Sequence, residues 1–133
     1  MQPELYRRRA CCVLQISQGC AEIRWLASKM GARPETVAGL SGFADIMLTC
    51  YGALSRNRKV GIRLGQGESI AEILASSTQV AEGVATAGSV VFLARKYRVQ
   101  LPVLTAVATV LADDCTIEEA VQAVIDLPQL EER

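Results

Sequence analysis

Side chains that can bind a phosphate gather in one short segment of an otherwise apolar chain. Residues 54–61 read Leu-Ser-Arg-Asn-Arg-Lys-Val-Gly, with Asp45 and Thr49 shortly before them and Arg63 shortly after. Arginine guanidinium groups bind phosphate through paired hydrogen bonds, and the free N–H groups at the start of a helix add donors. Short hydroxyl and carboxamide side chains bind the hydroxyl groups of a polyol. The pattern is typical of a polyol-phosphate site, although a solvent-exposed basic helix with a polar cap fits the same spacing.

The charge balance limits the partners that this chain can attract. Of 133 residues, 14 are basic and 14 are acidic, and half are apolar. No overall field therefore draws the chain to nucleic acid, and an RNA-binding role rests only on the basic cluster at 56–63. No apolar run reaches the roughly 18 residues that span a bilayer, and the first ten residues lack a secretory apolar core. We expect a soluble intracellular chain with no nucleic-acid partner and no membrane span.

The residues available for acid–base and metal chemistry are few. The chain has no histidine, so neither a zinc finger nor a Cys-His nucleophile pair is expected, and we predict no metal site. The cysteines are expected to be free, buried thiols, and they are Cys11, Cys12, Cys20, Cys50 and Cys115. Proton transfer near neutral pH would need a carboxylate or one of three lysines, namely Lys29, Lys59 and Lys96.

Apolar spacing and helix start and stop signals predict an all-α chain, a compact multi-helix bundle with one core. Two capping boxes, Ser69 with Glu72 and Thr116 with Glu119, each predict a helix start. Gly42 and Gly52 permit either close approach of the backbone to a ligand or tight turns. No strand pattern and no Gly-x-Gly-x-x-Gly between a strand and a helix are present, which argues against a nucleotide-binding domain within the chain. The predicted helices cover 13–30, 34–38, 45–51, 55–64, 69–74, 82–97, 102–111 and 116–125, and Pro128 should end the last.

Four motifs resemble the C-terminal, substrate-binding domain of NAD-dependent glycerol-3-phosphate dehydrogenases. They are Gln-Gly-Cys-Ala-Glu-Ile at 18–23, Gly-Leu-Ser-Gly at 39–42 with the following Asp45 and Thr49, Ser-Arg-Asn-Arg at 55–58, and Val-Ala-Glu-Gly at 80–83. The amino-acid sequence at 20–27 and 102–107 is most similar to that of the plant and algal plastid branch of this family. The resemblance implies the helical fold that this domain shares with 6-phosphogluconate dehydrogenases. It covers residues 18–128, which leaves a divergent segment at 1–17 and a tail at 129–133.

The resemblance also implies roles for individual residues. Asp45 matches the aspartate that orients the family's catalytic lysine, and Thr49 matches a hydroxyl near it. The expected substrate-binding residues are Ser55, Arg56 and Asn57, and the expected contacts to the nicotinamide nucleotide are Arg56, Val80 and Glu82. The implied reaction is hydride transfer between NAD or NADP and the secondary carbon of dihydroxyacetone phosphate or glycerol 3-phosphate, within a homodimer that supplies glycerolipid precursors. The implied compartment is the cytoplasm or the plastid stroma.

Two parts of the family's machinery have no counterpart in the chain. The catalytic lysine of the family lies upstream of the segment that matches Gln18, and no lysine precedes Gln18 here. The glycine-rich dinucleotide domain is also missing. We therefore expect a fragment that supplies the phosphate-binding half of the cleft and is inactive alone. The alternative is a non-catalytic helical module that dimerises or docks on full-length subunits through apolar surface left uncovered by the missing domain.

Overall fold

The computed structural model describes the backbone of residues 3–126 and the side chains of residues 12 and 14–126. Over this range the chain forms eight α-helices and no strand, as the sequence predicted. The helices are α1 (Pro3–Lys29), α2 (Pro34–Ala38), α3 (Leu40–Tyr51), α4 (Arg56–Gly65), α5 (Ile70–Ser76), α6 (Glu82–Tyr97), α7 (Pro102–Leu111) and α8 (Ile117–Ile125). The predicted stop at Pro128 and the predicted tail at 129–133 lie outside the described residues.

The first helix begins earlier than its apolar spacing predicted. It starts at Pro3 rather than at 13, so the predicted start was wrong. Proline suits the first helical position, and each residue added to a formed helix gains a hydrogen bond without a new nucleus. The helix ends near the predicted stop, where Gly31 adopts a φ of 92° and the N–H of Ala32 donates to the carbonyl of Ala27 at 2.9 Å. It runs unbroken through position 17, and the domain boundary placed there stays a prediction.

The third helix also begins earlier than predicted. It starts at Leu40, so Gly42 lies inside the helix and not in a flexible segment before it. A Cβ atom at Gly42 would lie 2.3 Å from the carbonyl oxygen of Val37, so the backbones of α2 and α3 approach closely there. This geometry supports the tight-turn interpretation of Gly42, and it explains why the helix tolerates a glycine near its start.

Both predicted capping boxes are present. The hydroxyl of Ser69 accepts from the N–H of Glu72 at 3.3 Å, while the Glu72 carboxylate accepts from the N–H of Ser69 at 2.9 Å. The same pair of bonds joins Thr116 and Glu119, at 3.2 and 2.9 Å. Each carboxylate also accepts from the hydroxyl of its cap residue. The pKa of Glu72 is lowered mainly by the bond from the Ser69 hydroxyl and then by that from the Ser69 N–H, whereas the pKa of Glu119 is lowered mainly by the bond from the Thr116 N–H and then by that from the Thr116 hydroxyl.

The buried apolar residues form two clusters rather than the single core that the composition predicted. Helices α1, α6 and α7 share the first cluster, built on Leu26, Ala94 and Leu101. Helices α4 and α5 and the start of α6 share the second, built on Val60, Ile73 and Ala81. Helix α6 connects the two, because Ala81 at its N-cap belongs to the second cluster and Ala94 near its end belongs to the first. The second cluster lies directly beneath the residues predicted to bind phosphate.

A fully buried carboxylate joins α1 to the start of α7. Glu22 has no exposed surface, and its two oxygens accept from the N–H groups of Val103 and Leu104, each at 3.0 Å. One of these oxygens also accepts from Nε2 of Gln18 at 3.1 Å. Leu101 stands at the N-cap of α7 and has no polar side chain, so Glu22 supplies the acceptors that the helix start lacks. Sequence reasoning did not single out this role.

The cysteines of the described side chains are free but less buried than predicted. Cys12 is exposed, and Cys20, Cys50 and Cys115 are half-buried. Partial burial raises the pKa of the Cys50 thiol, and the nearby Cys20 adds to this effect. The prediction of buried thiols was therefore wrong for Cys12, while Cys11 lies outside the described side chains.

Candidate functional site

The hydroxyl of Ser55 starts the helix that carries the candidate phosphate-binding residues. Ser55 is the N-cap of α4, and its oxygen accepts from the N–H of Arg58 at 3.2 Å. Serine is favoured at this position because it satisfies one of the free N–H groups of the first turn. The hydroxyl acts as an acceptor in this bond, so its own proton stays available for donation to an anion.

The carboxamide of Asn57 connects α4 to the start of α6. Its Oδ1 atom accepts from the backbone N–H of Gly83 at 3.1 Å. A backbone N–H can only donate, so this bond assigns the oxygen to Gly83 and leaves both N–H groups of the Asn57 amide for other acceptors. A Cβ atom at position 83 would lie 2.8 Å from Oδ1, so glycine allows this approach without displacing the carboxamide.

The Asn57 contact brings the N-termini of two helices together. The N-cap of α6 is Ala81, which has no side-chain acceptor for the free N–H groups of the first turn. Helix N-termini carry a partial positive charge, and two adjacent ones reinforce each other. We call these two helix starts, residues 55–57 and 81–83, the corner. Its electrostatics favour an anionic group.

Two cations on one side of α4 line a cavity beside this corner. Arg56 and Lys59 are exposed, and within the described residues neither forms a hydrogen bond or ion pair through its side chain. The cavity measures about 220 Å³. Its lining residues are Arg56, Lys59, Val60, Arg63, Ile73, Ser76, Ser77, Thr78, Gln79 and Ala81.

Arg63 contributes little net charge to the cavity. Its guanidinium pairs with the carboxylate of Glu68, with Nε at 2.9 and 3.0 Å from the two oxygens, and Nη2 donates to Ser76 Oγ at 2.8 Å. The hydrogen bond raises the pKa of Arg63 and lowers that of Glu68. The sequence grouped Arg63 with the phosphate-binding cations, but in the structure Glu68 neutralises it.

The two residues predicted to contact the nucleotide stand at the start of α6. Val80 is 68% exposed in the loop before the helix, and Glu82 is the first helical residue and is also exposed. An acidic side chain in the first turn interacts favourably with the helix dipole. The Asn57 contact to Gly83 places both close to the start of α4, so the structure brings these predicted residues together with Ser55, Arg56 and Asn57.

Asp45 and Thr49 lie one turn apart on one side of α3. Asp45 is exposed and Thr49 is half-buried, and no hydrogen bond or ion pair joins either side chain to the other described residues. The other side of α3, about 120–160° around its axis, faces a mostly apolar cavity of about 310 Å³. That cavity is lined by Ile16, Ser17, Cys20, Phe43, Met47 and Tyr51. The polar pair therefore faces away from the α1 contact, and no direct bond connects it to the start of α4.

The described residues meet the requirements of neither a metal site nor a membrane-spanning helix. Among the described side chains, no three histidine, cysteine, aspartate or glutamate residues cluster in a way that suits a metal ion. None of the helices between residues 3 and 126 is both long and apolar enough to cross a bilayer.

A family model described as the C-terminus of NAD-dependent glycerol-3-phosphate dehydrogenase matches residues 10–122. The chain belongs to this family. It is 62% identical over 117 residues to the chloroplastic NAD(+) glycerol-3-phosphate dehydrogenase 2 of Arabidopsis thaliana, and 58% identical over 122 residues to a chloroplastic counterpart from Oryza sativa subsp. japonica. These alignments cover 88% and 92% of the chain. A crystal structure of glycerol-3-phosphate dehydrogenase from Coxiella burnetii superposes with a TM-score of 0.79 at 34% identity over 84% of the chain.

The chain matches only part of each of these glycerol-3-phosphate dehydrogenases. It spans 28% of the length of both plant relatives and 34% of the Coxiella burnetii chain. The match to the family model starts at residue 10, within α1, rather than at 18. The comparisons thus establish the helical C-terminal domain of the glycerol-3-phosphate dehydrogenase family.

Two residues of the corner were missed as site residues by the sequence reasoning. Gly83 was noticed only as part of a motif, and Lys59 only as one cation of the basic segment and one of three lysines, without a role of its own. A signal for Lys59 existed, because it follows Arg56 by three residues, and residues so spaced lie on the same side of a helix. The role of Gly83 had no local signal, since its partner lies 26 residues earlier in the chain.

Proposed function

We propose that the chain is the substrate-binding part of an NAD-dependent glycerol-3-phosphate dehydrogenase and binds the phosphate group of dihydroxyacetone phosphate or glycerol 3-phosphate. The observation that carries the proposal is the bond from Gly83 to Asn57, which joins two positively polarised helix starts next to Arg56, whose guanidinium has no partner among the described residues. A phosphate is the anion that best matches such a corner, because it accepts several hydrogen bonds at once.

Each residue of the corner has a distinct role in the proposed site. Arg56 binds the phosphate oxygens through its planar guanidinium group. Ser55 donates its hydroxyl proton, while its oxygen accepts from the N–H of Arg58. Asn57 donates from its amide nitrogen, because its oxygen is held by Gly83. Each of the three residues thus has an N–H or O–H group to donate, as an anion requires.

Asp45 and Thr49 form the second part of the proposed site. The exposed Asp45 carboxylate is free to pair with a lysine supplied by a part of the enzyme outside these 133 residues. Such pairing keeps the lysine charged and oriented toward the substrate oxygen. Thr49 adds a hydroxyl one turn along the same side of α3.

The start of α6 suits one side of a dinucleotide. Val80 offers an exposed apolar surface for an aromatic ring, Arg56 offers a cation for the phosphates, and Glu82 offers an acceptor for hydroxyl groups. These features fit NAD or NADP as the cofactor, which supplies the hydride when bound. The chain's own residues position the substrate against it.

The wider setting follows from the same proposal. The chloroplastic names of the two plant relatives support the plastid stroma as the compartment, with the cytoplasm as the alternative. In that setting the complete enzyme is a homodimer that supplies glycerol 3-phosphate for glycerolipid synthesis.

The proposal is tested by titrating the purified chain with dihydroxyacetone phosphate and following amide chemical shifts by NMR. We expect the largest shifts at residues 55–57 and 80–83, and no comparable shifts with dihydroxyacetone, which lacks the phosphate. Arg56→Met should weaken binding at least about tenfold, because a charge-assisted contact is lost. Arg58→Met is the matched control, since Arg58 lies on the opposite side of α4. Equal binding by Arg56→Met and the unaltered chain contradicts the proposal.

A second candidate function is a non-catalytic module that dimerises or docks on full-length subunits. It is favoured by apolar side chains that stay exposed beside the site, with Leu40 at 89%, Leu54 at 88% and Leu48 at 71% exposed. Co-purification with a full-length dehydrogenase, reduced by Leu48→Ser with Leu54→Ser, would support this function. A monomeric chain that does not co-purify contradicts it.

A further inference from the structure

The cavity beside α4 is built from two distinct kinds of surface. Its floor consists of the buried residues Val60, Ile73 and Ala81, which form the second core cluster. Its rim on α4 carries Arg56 and Lys59, which project from one side of the helix because they are three residues apart. Because the two cations have no partners among the described residues, they can bind an anion without first breaking other contacts.

Residues 76–79 supply the remaining polar side chains of the described cavity lining, and two of these have no hydrogen-bond partner among the described residues. The hydroxyl of Ser76 donates to the carbonyl of Glu72 at 2.8 Å, and that of Ser77 donates to the carbonyl of Ile73 at 2.6 Å. Thr78 and Gln79 follow directly, and their side chains form no hydrogen bond with the other described residues. They add one hydroxyl and one carboxamide that can donate to the cavity lining.

The local charge depends on Arg56 and Lys59 alone. The third cation of the lining, Arg63, is paired with Glu68 and bonded to Ser76. Removing one of the two remaining cations therefore removes about half of the net positive charge at the rim. The resulting loss of anion binding distinguishes a specific site from a generally basic surface.

We propose that this cavity is a phosphoryl subsite in which Lys59 is the second cation beside Arg56, with Thr78 and Gln79 as further donors. The proposal rests on the proposed function in so far as Arg56 is shared with the substrate phosphate. The volume of about 220 Å³ falls below the roughly 300–1,000 Å³ of pockets that enclose a whole small-molecule ligand. The cavity therefore accepts one phosphoryl group, either the phosphate of the substrate or one phosphate of the cofactor pyrophosphate.

The test compares Lys59→Met with Arg58→Met in the full 133-residue chain. Both variants lose one positive charge from neighbouring positions of α4, but only Lys59 lines the cavity. We titrate each with inorganic phosphate and follow the amide signals of Thr78 and Gln79 by NMR. Lys59→Met should weaken phosphate binding roughly tenfold, whereas Arg58→Met should change it less than about twofold. Lys59→Arg should restore binding, and circular dichroism checks that each variant is folded.

Two further ligands distinguish the source of the phosphoryl group. If Lys59→Met weakens the binding of ADP-ribose more than that of dihydroxyacetone phosphate, the cavity binds a phosphate of the cofactor. If it weakens the binding of dihydroxyacetone phosphate more, the cavity binds the substrate phosphate. Equal losses for Lys59→Met and Arg58→Met overturn the subsite, because the effect is then that of diffuse charge. If dihydroxyacetone phosphate binding depends on Arg56 but not on Lys59, the proposed function stands and the subsite fails. If inorganic phosphate binding depends on Lys59 while dihydroxyacetone phosphate does not bind, the subsite stands and the proposed function fails.

Discussion

Asn57 accepts a hydrogen bond from the backbone N–H of Gly83 at 3.1 Å, across 26 residues of sequence. This bond holds the starts of α4 and α6 side by side above the cluster of Val60, Ile73 and Ala81. It also fixes the orientation of the carboxamide, so that its N–H groups remain available. One polar contact thus builds the corner and determines what the corner offers to a ligand.

We expect Asn57→Ala to lower the free energy of unfolding by about 0.5–1.5 kcal/mol, because the N–H of Gly83 loses its partner. Gly83→Ala should cost a similar amount, since its Cβ atom would press on the Asn57 carboxamide. Urea denaturation of both single variants and the double variant measures these changes. The double variant should lose less than the sum of the two, and strict additivity would show that the residues are not coupled.

Glu22→Gln should destabilise the chain by about 1–3 kcal/mol, because one of two buried acceptors becomes an N–H group facing the backbone N–H groups of α7. Glu118→Gln is the matched control, as Glu118 is an exposed acid in the first turn of α8. Thermal and urea unfolding measure the loss of stability in both variants. A loss for Glu22→Gln no larger than that for Glu118→Gln contradicts the assigned role.

Arg98→Gly should stabilise the chain by about 0.5–1 kcal/mol. Arg98 ends α6 in the left-handed conformation with a φ of 55°, which costs a non-glycine residue energy that glycine avoids. Gly31→Ala provides the opposite test, because Gly31 has a φ of 92° with open space around it, and it should lose about 1 kcal/mol. Urea denaturation should show a higher free energy of unfolding for Arg98→Gly and a lower one for Gly31→Ala. A destabilising Arg98→Gly would contradict this explanation.

The two capping boxes predict a loss of stability in acid. The pKa values of Glu72 and Glu119 are lowered from 4.5 in the folded chain, so their contribution is fully present above about pH 4.5 and is lost as the pH falls through the lower folded values. Urea denaturation between pH 7 and pH 3 measures how far the free energy of unfolding falls in acid. This fall should be smaller for the double variant Glu72→Gln with Glu119→Gln than for the unaltered chain. Identical pH profiles would indicate that the boxes contribute nothing to this dependence.

The purified 133-residue chain should not reduce dihydroxyacetone phosphate with NADH. No lysine precedes Gln18, where the resemblance implies the catalytic lysine, and these 133 residues contain no glycine-rich dinucleotide segment, so we expect them to supply neither the proton donor nor most of the cofactor site. The decrease of NADH absorbance measures this, with a complete family member as the positive control. Measurable turnover by the chain alone would overturn the prediction.

Local signals predicted most helix boundaries, but the starts of α1 and α3 lie earlier than predicted. The starts at Ser69 and Thr116 were predicted because a capping box lies within four consecutive residues. The start of α3 at Leu40 was not, because it depends on the close approach of Gly42 to Val37. The pairing of Arg63 with Glu68 was also missed, since nothing in the basic segment indicates which cation has a nearby acid.

The sequence by itself determined that the chain is helical, that Ser55 starts the helix bearing Arg56 and Asn57, and that the motifs are those of the glycerol-3-phosphate dehydrogenase family. These features depend on residues within a turn or two of one another, so their physical causes can be read along the chain. Only the tertiary structure decided which polar atoms are already used, through the bonds from Gly83 to Asn57 and from Val103 to Glu22. The partners in these bonds are 26 and 81 residues apart, and packing of the helices, rather than local propensity, brings them together.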